Sequence, residues 1–134
     1  MQIHQSAEDY LETILMLNQR MGRVRSIDVV NELGYTKASV SIAMKKLREN
    51  GYIAVDGEGN LTLLEPGREI AERIYSRHRL LTHFFVQLGV DEEVAAEDAC
   101  KAEHILSEQT LEKIREYALL HDAQDLSLIH ISEP

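Results

Sequence analysis

A chain of 134 residues, 44% hydrophobic and 28% charged, suits one compact domain or two small ones. No apolar run approaches the roughly 20 residues that a membrane span needs, and residues 1–6 lack a basic-then-apolar leader; with Cys100 the single cysteine, a reducing cytoplasm is expected. The net charge of −9 speaks against a nucleic-acid partner, but residues 19–50 carry seven Lys or Arg against three acids, whereas residues 91–134 carry twelve acids against three bases.

A first helix is expected from Ser6, which offers an N-cap ahead of the first-turn acids Glu8 and Asp9. Tyr10, Leu11, Ile14, Leu15 and Leu17 then recur at helical spacing up to Gly22. A second helix starts near Ser26, turns Val29, Val30 and Leu33 inward, and stops at Gly34. Thr36 caps a third, whose inner face is Val40, Ala43, Met44 and Leu47 and whose end is marked by Gly51. Residues 52–55 and 61–64 read as two short strands joined by Asp56-Gly57-Glu58-Gly59-Asn60, a hairpin loop rich in residues that tolerate positive φ.

Pro66-Gly67 is expected to open a long helix from about Arg68 to Leu88, ended by Gly89. Asp91-Glu92-Glu93 begins another, running to Leu106, and Ser107-Glu108 a last one to about Leu120. The fold class is therefore mainly α. Residues 1–65 are expected to form a winged helix-turn-helix with a two-stranded wing, residues 66–122 a second, helical domain, and residues 123–134 an atypical, foreign-looking tail.

Two short helices on a tight turn followed by a hairpin match a DNA reader whose second helix enters the major groove with its N-terminal residues at the base edges. That end is Thr36, Lys37, Ala38, Ser39, Ser41 and Ile42. Hydroxyls of Ser and Thr reach bases or phosphates, and Ala38 and Ile42 suit thymine methyl groups. Lys37, Lys45, Lys46 and Arg25 are phosphate candidates, with Ser26 at the start of the preceding helix. Asp56 and Glu58 make the wing tip a poor phosphate binder. The competing reading is a three-helix fold used only for protein contacts.

Cys100, Glu103 and His104 stand at i, i+3 and i+4, on one face of the expected helix. Thiolate, carboxylate and imidazole are all ligands for first-row transition metals. Asp9 and Glu12 form a second pair at i, i+3, and His78 lies within Arg77-His78-Arg79. Each residue also has a plain structural reading: a core cysteine, surface carboxylates, an amphipathic-helix histidine, an acid serving a helix N-terminus. Spacing alone does not separate the two.

The stretches Ser6-Ala7-Glu8-Asp9-Tyr10-Leu11-Glu12, residues 26–52, Arg77-His78-Arg79-Leu80-Leu81, Gly89-Val90-Asp91-Glu92-Glu93 and Ala99-Cys100-Lys101-Ala102-Glu103-His104 resemble the diphtheria-toxin-repressor family of iron- and manganese-responsive repressors, above all its short manganese-transport-regulator branch. The resemblance implies a non-enzymatic homodimer that binds double-stranded operator DNA when a divalent transition metal, Fe²⁺ or Mn²⁺ with Zn²⁺ as a further candidate, is bound. It implies neither an organic cofactor nor a membrane. Asp9, Glu12, His78, Glu103 and His104 fall on ligand positions of the manganese branch. Cys100 follows the iron branch instead, where manganese regulators carry Glu, while the iron branch has Met at the position of Asp9. A thiolate among oxygen ligands shifts preference toward Fe²⁺ or Zn²⁺. The iron branch's ancillary acid near Thr82 and His near Ala96 are absent, and its SH3-like domain has no counterpart in the chain. The dimer seam is expected among Leu80, Leu81, Phe84, Phe85 and Leu88. The rival regulator would respond to a small organic ligand or to oxidation of Cys100, and a metallohydrolase is disfavoured by the lack of a His-Glu-x-x-His motif.

Overall fold

The computed structural model describes residues 5–124. In order these form α1 (Gln5–Met21), α2 (Ser26–Leu33), α3 (Lys37–Glu49), β1 (Ile53–Val55), β2 (Leu61–Leu63), α4 (Glu65–Gln87), α5 (Glu92–Ala102) and α6 (Glu108–Gln124). The mainly α class and the winged helix-turn-helix order are as expected. Two compact units meet within α4, one ending at Tyr75 and the other starting at Ser76. The expected tail falls largely outside the described residues, although α6 runs four residues past its expected end at Leu120.

The first unit is built around one apolar core. Tyr10, Leu11, Ile14, Leu15 and Leu17 of α1 are all buried, together with Val29 of α2 and Val40, Met44 and Leu47 of α3. Ser6 does not cap α1, because the helix already includes Gln5. The other signals hold locally. Gly34 adopts φ 71°, the left-handed conformation that lets its N–H close α2 onto the Val30 carbonyl at 2.8 Å. Thr36 Oγ1 accepts the Ser39 N–H at 3.1 Å and so caps α3.

In the wing, Ile53, Ala54 and Val55 face Leu63, Thr62 and Leu61 in antiparallel register. Leu61 and Leu63 point into the core while Thr62 faces solvent, the period-two pattern of a half-buried strand. At the tip, Asp56 accepts the backbone N–H groups of Glu58 (2.8 Å) and Asn60 (2.9 Å) and the Asn60 side-chain amide (2.9 Å). These bonds, the Asn60 side chain foremost, hold its carboxyl below the usual carboxylate range. The carboxylate is committed to shaping the loop.

Helix α4 starts at Glu65, three residues earlier than Pro66-Gly67 suggested, because proline fits the first turn, where its missing N–H has no partner to lose. Gly67 has a different purpose: a Cβ there would lie 2.2 Å from the Tyr52 carbonyl oxygen, so only glycine lets this turn pass against the wing's entry strand.

In the second unit Leu81, Ala99 and Leu111 form a small core drawn from α4, α5 and α6. Leu81 is fully buried here, which removes it from the expected dimer seam; it packs its own subunit. Asp122 of α6 lies 2.9 Å from His83 Nε2 and accepts the Gln87 amide at 2.8 Å, tying α6 to α4. No helix among the described residues is long and apolar enough to cross a membrane.

Candidate metal centre and DNA-reading face

The metal-ligand candidates of the second unit gather around one carboxylate. Helix α5 ends at Ala102, so Glu103 and His104 sit in the turn beyond it and not on a helix face running to Leu106. The cause is visible in the backbone: Glu103 N–H still bonds Ala99 four residues back, but the next closures, from Ile105 and Leu106, both converge on the Ala102 carbonyl. The tightened turn gives three neighbouring side chains different degrees of burial. Cys100 is exposed, Glu103 is 0% exposed, and the His104 side chain is buried.

Glu103 Oε2 lies 3.3 Å from His78 Nδ1, and Oε1 lies 3.5 Å from His104 Nε2. The Cys100 sulfur is within 4.8 Å of a Glu103 carboxylate oxygen. Neither Glu103 oxygen accepts a hydrogen bond, and His78 Nδ1 makes none. A carboxylate taken wholly out of water costs several kcal/mol unless a cation or hydrogen bonds offset it. Here the oxygens face two imidazole nitrogens with a thiol nearby, and all four are groups of the kinds that ligate metals. The donor set fits a divalent transition ion.

Arg77, next to His78 on α4, braces this turn. Its guanidinium donates to the Glu103 carbonyl at 3.3 Å and pairs with Glu108 at the start of α6. Sequence reading passed over Arg77 because nothing in spacing distinguishes a bracing arginine from a surface one.

Asp9 and Glu12 stand one helical turn apart on α1, in the first unit; Asp9 is half-buried and Glu12 is 5% exposed. Tyr10, between them in sequence, is buried, and its ring meets Tyr35 edge-on at 5.9 Å and 78°. Burial first, then the neighbouring Tyr35 and Asp9, raise the Tyr10 phenol above its ordinary value, so the ring is uncharged at neutral pH.

The reading face is exposed along α3. Thr36, Lys37, Ala38, Ser39, Ser41, Ile42, Lys45 and Lys46 all face solvent, and Ile42 is 58% exposed, an unusual state for a large apolar side chain. Thr36 and Ser39 also hydrogen-bond each other through their hydroxyls at 2.9 Å, so both contribute to the cap. Ser26 is half-buried as the first residue of α2. Arg25 is placed at a joint: its backbone pairs with Asn60, its N–H bonds Asp28 at 2.8 Å, and a Cβ at Gly59 would touch its guanidinium at 3.4 Å.

Comparison with known proteins matches both units. Residues 2–61 match the family model described as the iron-dependent repressor N-terminal DNA-binding domain, and residues 64–120 that of the iron-dependent repressor metal-binding and dimerisation domain. An uncharacterised HTH-type transcriptional regulator of Methanocaldococcus jannaschii is 36% identical over 113 residues, covering 83% of this chain and 90% of that protein. The HTH-type transcriptional regulator MntR of Bacillus subtilis is 32% identical over 120 residues, covering 90% of this chain and 84% of its own. A manganese-dependent transcriptional repressor solved in complex with manganese superposes with a TM-score of 0.76 at 28% identity, over 84% of this chain and 52% of that one. The chain thus spans about half the length of that solved repressor.

Proposed function

The chain belongs to the iron-dependent repressor family of metal-dependent, DNA-binding transcriptional repressors, and on that premise we propose that Asp9, Glu12, His78, Cys100, Glu103 and His104 hold its divalent metal. The observation that carries this reading is Glu103, fully buried with both carboxylate oxygens free of hydrogen bonds and facing two imidazoles. A bound cation would occupy the space that both Glu103 oxygens and the two imidazole nitrogens face. His78 and His104 bring neutral nitrogen donors, and Cys100 brings a thiolate once deprotonated. Oxygen donors from Asp9 and Glu12 suit Mn²⁺, and the thiolate favours Fe²⁺ or Zn²⁺. We assign iron as the preferred metal on the strength of Cys100. The family match does not favour a regulator answering to an organic ligand or to oxidation of Cys100.

Regulation follows from where the ligands sit. Asp9 and Glu12 belong to the reading unit, and the other four to the second unit. Engaging all six fixes how each reader of a homodimer is presented to its twin, so that two recognition helices meet successive major grooves of operator DNA. A coupling of about 1–3 kcal/mol changes DNA affinity about 5–150-fold. Lys37, Lys45, Lys46 and Arg25 would neutralise phosphates, with Ala38, Ser39, Ser41 and Ile42 toward the bases and Ser26 and Thr36 at the helix starts. Exposed Leu88, Val94 and Ile105 on the second unit supply apolar surface for the dimer seam.

The test is anaerobic titration of Mn²⁺, Fe²⁺ and Zn²⁺ into the full chain with a DNA duplex selected from a randomised pool in the presence of each metal. Tighter DNA binding with metal, strongest for Fe²⁺, is expected. DNA binding indifferent to every metal would refute the regulatory reading, and a clear preference for Mn²⁺ would refute the role assigned to Cys100.

A further inference from the structure

The ring contact between Tyr10 and Tyr35 joins the ligand-bearing helix to the turn that leads into the recognition helix. Tyr10 follows Asp9 on α1 and is 6% exposed. Tyr35 is the residue between Gly34, which ends α2 in the left-handed conformation, and Thr36, which caps α3. Its backbone is therefore fixed at both ends: the Gly34 N–H closes α2 and Thr36 Oγ1 holds the first turn of α3. A shift of the Tyr35 backbone is passed directly to the first turn of α3.

Below this contact the two helices share the buried core of Leu11, Ile14, Val40 and Met44, and beside it the surface opens. A groove of about 310 Å³ runs between Ser6, Ala7 and Tyr10 of α1 and Ser39, Ile42 and Ala43 of α3. An aromatic pair set edge-on has a preferred geometry and resists displacement, whereas an open groove does not. Tyr35 is also 45% exposed, so its ring is held on the Tyr10 side and bare on the other.

We propose that the Tyr10–Tyr35 contact is a positioning link, by which the placement of Asp9 and Glu12 on α1 sets the placement of the recognition helix α3. Tyr35 acts through Tyr10 and binds no metal itself. This rests on the metal-dependent reading above, and it adds a route within the reading unit by which metal occupancy reaches the base-reading residues.

The experiment compares wild-type chain with Tyr35→Ala and Tyr35→Phe, measuring DNA affinity with and without Mn²⁺ and Mn²⁺ affinity with and without DNA. The ring is half exposed, so neither substitution empties the core. In Tyr35→Ala the ratio of DNA affinities with and without metal is expected to fall about 2–10-fold, the worth of one aromatic pair. Mn²⁺ affinity of the DNA-free protein stays unchanged, and DNA tightens Mn²⁺ binding by a correspondingly smaller factor, as reciprocity requires. Tyr35→Phe keeps the wild-type ratio. A ratio unchanged in Tyr35→Ala, with both DNA affinities weakened equally, would make Tyr35 a plain DNA contact and overturn the link alone. Loss of the ratio in Tyr35→Phe would assign the effect to the hydroxyl and also overturn it. A wild-type ratio of one would overturn the metal-dependent reading and the link together.

Discussion

The exposed caps and wing tip of the reading unit and the buried Glu103 carboxylate of the sensing unit partner their polar groups in opposite ways. In the reading unit the polar groups that shape the fold are spent within it: Thr36 on Ser39, Asp56 on Glu58 and Asn60, the Gly34 N–H on Val30. In the sensing unit a carboxylate with no hydrogen bond is sealed away from water beside two imidazoles. A folded chain tolerates that cost when a ligand offsets it. The contrast separates local turns that close on themselves from a buried carboxylate that a cation would satisfy.

The largest expected effect tests the second half of this contrast. Glu103→Gln should weaken Mn²⁺ or Fe²⁺ binding by about 100-fold or more, beyond the loss typical of an outer-shell partner. It should also stabilise the metal-free protein, by about 1–3 kcal/mol, because a buried carboxylate without hydrogen bonds is gone. Calorimetric titration and thermal unfolding read the two effects separately.

Gly67→Ala tests the reading unit. It forces a Cβ against the Tyr52 carbonyl and should cost about 1–3 kcal/mol of stability, while leaving Mn²⁺ affinity of the folded protein unchanged. Urea denaturation of the metal-free chain measures it. Cys100→Glu sharpens the metal assignment: the Fe²⁺ over Mn²⁺ preference should drop about tenfold, equivalent to about 1.4 kcal/mol. Competition titration under anaerobic conditions gives that ratio.

Thr36→Ala removes the cap of α3 and should cost about 1 kcal/mol, with DNA affinity lowered alike in the presence and absence of metal. The smallest effect belongs to the wing. Asp56 has a depressed value in the folded chain, so its contribution is present above the ordinary carboxylate value and is lost as pH falls through the lowered one. Protection of the Glu58 and Asn60 amides, corrected for the intrinsic pH dependence of exchange, should fall across that interval, and Asp56→Asn should remove that fall.

How far each unit could be read from sequence follows the same division. The caps at Gly34 and Thr36, the stripe from Tyr10 to Leu17 and the hairpin loop are local signals, and each produced the expected element. The end of α5 was missed, since no glycine or proline marks it and Glu103 keeps helical backbone angles while the turn tightens beyond. Leu81 was misplaced because helical spacing shows which residues are apolar but not whether they face their own core or a partner. The gathering of His78 with Glu103 joins residues 25 apart, a relation no spacing rule contains. Tyr35 carried only the weak signal of an aromatic in a turn.

Glu103, a buried carboxylate without hydrogen bonds, is the residue on which metal binding is proposed to turn. Thermal unfolding of wild type and Glu103→Gln, each with and without saturating Mn²⁺, tests it most directly. Wild type should melt lower than the variant without metal and rise sharply with it, whereas the variant should barely respond. A variant less stable than wild type without metal, or equally stabilised by Mn²⁺, would contradict the claim.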